Sequence, residues 1–95
     1  MLVSEDLLEM FKQSIGDFNA TTIMDNYYTN FLNMAIADLE NDDISEVQLS
    51  TILGQSTICL YAEALMNKTD IATNPTITLL RNKLSDMTNG DRFND

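Results

Sequence analysis

Fifteen carboxylates, five cations and no histidine set the chemistry open to this 95-residue chain. The missing histidine removes the commonest general base and the commonest metal ligand. The densest acidic group is Asp38, Glu40, Asp42, Asp43 and Glu46. Paired carboxylates can do acid–base work when burial or a close partner shifts them. This group falls where a helix is expected to end, so it reads as a solvated turn. It also fails as a calcium loop. Counting from Asp38, the sixth position holds Asp43 where glycine is needed, and the twelfth holds Leu49 where a bidentate glutamate is needed. Cys59 lies in the apolar run Ile58–Met66, where a thiolate is disfavoured and no base stands ready to activate it. It reads as a core thiol. As the only cysteine it cannot form an internal disulfide, and it suits a reducing compartment. The glycines, at 16, 54 and 90, are too scattered for a phosphate-binding loop, and no cysteine pair offers a zinc site. Ser45, between Ile44 and Glu46, lacks the Asp-Ser-Leu setting of an acyl-carrier arm. No enzymatic activity, cofactor or metal is therefore expected.

The net charge of −10 is unevenly spread. Met1 to Glu46 carries ten acids against Lys12 alone, whereas Val47 onward carries five acids and four bases. Such a surface argues against wrapping nucleic acid, which needs clustered Lys and Arg, and against an anionic membrane. The opening MLVSEDLLEM has neither a basic start nor a long apolar core, so it does not read as a signal peptide, and no apolar run approaches membrane-spanning length.

The elements that must position these residues are helices. A hydrophobic fraction of 44% with one proline and three glycines favours a single all-α domain over residues 1–95. About four helices are expected, packed as a small bundle with the third buried. The first starts at Ser4 as N-cap, presents Leu7, Leu8, Phe11 and Ile15 on one face, and stops at Gly16. The second opens near Thr22 and carries the stripe Met24, Tyr28, Phe31, Leu32, Ala35 and Leu39. Tyr27, Met34 and Ile36 widen that stripe, which predicts contacts on more than one side. Tyr27 is equally readable as an interface anchor or as core-edge packing. The third begins at Ser45 with an S-x-x-Q capping box, runs to Asn67, and bends or makes a close contact at Gly54. Asn74-Pro75 starts the fourth, with Ile77, Leu80, Leu84 and Met87 as its stripe and Asn89-Gly90-Asp91 as its end. Residues 88–95 are expected to be a mobile tail.

The segment Asp25 to Glu40 (DNYYTNFLNMAIADLE) resembles the second helix of the small head–tail connector proteins of long-tailed bacteriophages. The Tyr61-Ala62-Glu63 element, the loop at Asn74-Pro75 and the Leu80/Leu84 spacing follow that family's layout, over about residues 4 to 87. Leu60 stands where a Trp or a second Tyr is often found. The resemblance implies a virion protein, made in the host cytoplasm, that forms a ring of usually twelve copies. The ring would lie at the head–tail junction between the portal protein and a tail-side completion protein. DNA would pass through the ring without specific binding, and no membrane would be involved. The candidate subunit-interface residues are Tyr27, Glu40, Asp42, Asp43, Arg81 and Lys83. The acidic N-terminal half of one copy would then meet the Arg81/Lys83 side of the next. The alternative is a small acidic regulator, such as a DNA mimic, that occupies a basic protein partner.

Overall fold

Ser4 is the first fixed point of the fold. Its backbone is extended and its side chain accepts from the Leu7 amide, which opens helix α1 (Glu5–Ile15). In the computed structural model the backbone is described for residues 1–94 and the side chains for residues 1–87. Gly16 ends α1 in the left-handed region at φ +78°, where a side chain would be strained. Thr21 caps α2 (Thr22–Asn41) through the Met24 amide. The chain continues as α3 (Glu46–Leu49), α4 (Ile52–Met66) and α5 (Pro75–Asn94). The described residues form five helices and no strand. At the start of α5, the Asn74 side-chain oxygen accepts from the amides of Thr76 and Ile77. The α5 backbone runs past the stop expected at residues 89–91. The mobile tail expected at 88–95 lies outside the residues whose side chains are described.

The expected third helix is two helices. The Ser45–Gln48 capping box forms as the spacing predicts, but α3 lasts only four residues. Thr51 then takes an extended backbone, and its hydroxyl accepts from the Gly54 amide and donates to the Gln48 carbonyl. The chain turns sharply there, which brings Gly54 against the backbone of Gln48 and Leu49. A Cβ at Gly54 would lie 2.3 Å from the Gln48 carbonyl oxygen and 2.5 Å from the Leu49 Cα. The close contact expected at Gly54 is therefore with the preceding helix, and the break falls at Ser50–Thr51.

Helix α4 packs against each of the other four. Its buried residues include Gly54, Thr57, Ile58, Cys59, Tyr61, Ala62 and Ala64, spread around more than half of the helix. Leu7 and Phe11 of α1, Leu32 and Leu39 of α2, Leu49 of α3, and Ile77 and Leu84 of α5 close over it with essentially no exposure. Each contributes about 1.5–3 kcal/mol by leaving water. Phe11 meets the Tyr28 ring edge-on at 5.6 Å, which locks α1 to α2.

Helices α3 and α5 are joined by a polar contact inside the core. Gln48 is 4% exposed, and its amide nitrogen donates to the Leu84 carbonyl at 2.7 Å. Its carbonyl oxygen accepts from the Ser45 amide and hydroxyl. One side chain thus caps its own helix and also anchors the middle of α5.

Candidate interaction surface

The acidic turn after α2 is held by contacts within the chain. The Asp42 carboxylate pairs with the Arg81 guanidinium, tying the end of α2 to α5. Glu40 accepts from the Met1 ammonium at 3.0 Å, and this contact raises the ammonium's pKa. Asp38 accepts from the Tyr61 hydroxyl at 2.6 Å. Asp43 is exposed and turns the chain in the left-handed region at φ 64°. The Asp42–Arg81 pair is well exposed on both sides, so it adds at most about 1 kcal/mol. Its larger consequence is positional, since both charges are engaged within the chain.

A similar clasp joins α1 to α2. Lys12 pairs with Glu9 at 2.8 Å and with Asp25 at 3.0 Å, and these bonds, Glu9's first, raise its pKa. The Tyr28 hydroxyl donates to Asp17 at 2.5 Å, and this bond leads the upward shift of the phenol. Burial, then the Asp38 bond, pushes Tyr61 up to about 12. No buried side-chain nitrogen or oxygen among the described residues lacks a partner.

Cys59 is buried in α4, and burial followed by the charge of Glu63 pushes its thiol up to about 11. A thiolate is scarce at neutral pH under those conditions. Native protein at pH 8 is accordingly expected to resist a maleimide or an aromatic disulfide reagent, and to react fully once unfolded in urea. Rapid labelling of the native chain would contradict the burial.

The described residues include no group of three or more acids or thiols placed to hold a metal ion, and no helix long and apolar enough to cross a membrane. Among the described residues, clefts open at two places on the surface that matter here. One, of about 270 Å³, lies where α4 ends and α5 begins, and Glu63 is the one titratable group lining it. The other, of about 230 Å³, lies beside the Asp42–Arg81 pair, with Ile44, Thr78, Asn82 and Ser85. Neither brings together two groups that could act as acid and base.

The surface is more apolar than the sequence pattern suggests. Tyr27 and Met34, which widen the predicted α2 stripe, are exposed, whereas Ile36 is buried. The Tyr27 ring sits edge-on to Tyr28 and Phe31, so it is anchored at the core edge and still open to solvent. Leu2, Phe18, Ile23, Val47 and Leu79 are also exposed, and none of them belongs to an expected stripe or interface. Ile52, expected with Leu49, Leu53, Leu60 and Ala64 on one apolar face of the third helix, is exposed as well, because the break at Ser50–Thr51 starts a new helix at that residue. Helical phase could have found Ile23 and Leu79, because each sits roughly opposite its helix's core stripe. Among the predicted interface residues, Asp42 and Arg81 meet each other, Glu40 meets the amino terminus, and Tyr27, Asp43 and Lys83 face solvent. No family model, curated protein or solved structure matches the chain.

Proposed function

We propose that this chain is a structural, non-enzymatic connector that assembles into a ring between a phage portal and its tail, with DNA passing through the centre. The observation that carries the reading is the exposed apolar surface on an all-helical fold whose described residues assemble no site for chemistry. Ile23, Tyr27, Met34, Ile52 and Leu79 stand between 45% and 83% exposed in a chain of only 95 residues. A small domain with this much uncovered apolar area gains by assembling. The acidic surface suits a conduit, because like charge keeps DNA from adhering to the wall. The α2 segment and the Tyr61-Ala62-Glu63 element, which resemble the connector family, supply the place of action.

In this reading the chain works in the virion at the head–tail junction. Its partners are further copies of itself, the portal protein and a tail-side completion protein. Sedimentation velocity across protein and salt concentration, with and without the portal protein, tests it. The expected result is a discrete oligomer or a stable complex with the portal. A strict monomer at high concentration that also ignores the portal would sink the proposal. Tight binding to a basic nucleic-acid-binding protein in place of self-association would favour an acidic regulator.

A further inference from the structure

Two exposed apolar stripes point away from the core. On α2, Ile23, Tyr27 and Met34 lie on the side of the helix away from buried Tyr28, Leu32, Ala35, Ile36 and Leu39. Asn30, Ala37 and Asn41 continue that side along the helix, and exposed Asp38, four residues after Met34, is the carboxylate at its edge. On α5, Leu79 and Lys83 are exposed at four-residue spacing on the side turned from buried Ile77 and Leu84, with Asp86 alongside; Met87, expected on the core stripe, is 38% exposed at the edge between the two sides. Both helices pack on α4, so each stripe faces away from it.

We infer that these stripes are the two halves of one head-to-tail contact between copies of this chain, an inference that rests on the proposed assembly and names its surfaces. Charge decides which stripe meets which. Joining two α2 stripes would set two halves against each other that each carry ten acids and a single lysine. Joining α2 to α5 sets that half against one with five acids and four bases. Among the described residues, Lys12 and Arg81 are already paired, whereas Lys83 is exposed and makes no ion pair. Asp43, exposed just beyond α2, is a carboxylate it can meet. Apolar side chains then supply the attraction, and the charge pair sets direction and register. A contact between two different faces repeats from copy to copy and closes into a ring when the rotation allows.

Cross-linking by site tests this. Met34→Cys and Leu79→Cys variants of the full chain are purified separately, checked for native helicity, and treated with a short bismaleimide alone and as a mixture. The mixture is expected to give a linked dimer, and each variant alone much less. Preferential linking of Met34→Cys to itself, or of Leu79→Cys to itself, would overturn the head-to-tail assignment. So would the absence of links in every sample, and sedimentation of the unmodified chain then tells the two failures apart. Oligomers without the link remove only these surfaces, whereas a monomer that ignores the portal removes the assembly as well. In parallel, Met34→Ser should weaken self-association about tenfold by removing an apolar contact. Lys83→Glu should weaken it about threefold, as a rim charge pair would. Unchanged sedimentation in both variants counts against the inference.

Discussion

Gly54→Ala is expected to lower the unfolding free energy by at least about 2 kcal/mol, although alanine is the better helix former. In a solvated helix the exchange would gain about 1 kcal/mol. Here the added Cβ meets the Gln48 carbonyl oxygen at 2.3 Å and Leu49 backbone carbons at 2.5 and 2.6 Å. These are main-chain atoms of a capped helix, with no flexible side chain to swing aside. Relief requires α3 to move off α4, which would disturb Leu49, a fully buried residue, and the Gln48 bond to α5. Overpacking of this kind costs about 1–3 kcal/mol and sometimes more, before the lost contacts are counted. Urea denaturation followed by circular dichroism measures the change. A variant as stable as the parent would mean that α3 and α4 do not approach this closely.

Gln48→Glu is expected to destabilise by about 3 kcal/mol at neutral pH and to recover part of that in mild acid. The substitution keeps the size of the side chain and replaces the amide nitrogen with an oxygen. Where the amide donates to the Leu84 carbonyl at 2.7 Å, two acceptors would face each other in a site only 4% exposed. A buried charge facing an acceptor costs several kcal/mol unless it is neutralised. The sign with pH follows from that. Burial raises the carboxyl pKa in the folded state above its unfolded value of about 4.3. The variant's stability is therefore greatest below that unfolded value and is lost as pH rises through the folded one. Stability of parent and variant should converge toward acid pH and diverge toward neutral. A gap independent of pH would show that the carboxyl finds a donor and that the Leu84 bond matters little.

Much of the fold was legible because local signals decide it. Ser4, Gly16, the Ser45–Gln48 box and Asn74-Pro75 each act within one helical turn, and each does what its spacing predicts. The break at Ser50–Thr51 was not legible, because Thr51 is an ordinary helix residue until its hydroxyl caps α4. Its signal is the close approach of Gly54, which depends on how the chain turns back. The candidate surface was legible only in part. An exposed Met34 and a buried Ile36 are both apolar, and only the phase of the finished helix separates them. The partners of the acidic turn lay further out of reach. Arg81 is far along the chain from Asp42, and no local pattern announces that they meet within one copy. With Arg81 engaged in this way, the exposed cation without an ion pair among the described side chains of α5 is Lys83, which changes which residue a neighbouring copy would meet in the proposed assembly.

The proposed ring on a portal is tested most directly by electron microscopy of the chain mixed with a portal protein encoded in the same genome. A ring with an open centre, seated on the tail-facing end of the portal, is the expected result. Portal particles unchanged by an excess of the chain, with the chain itself remaining monomeric, would contradict it.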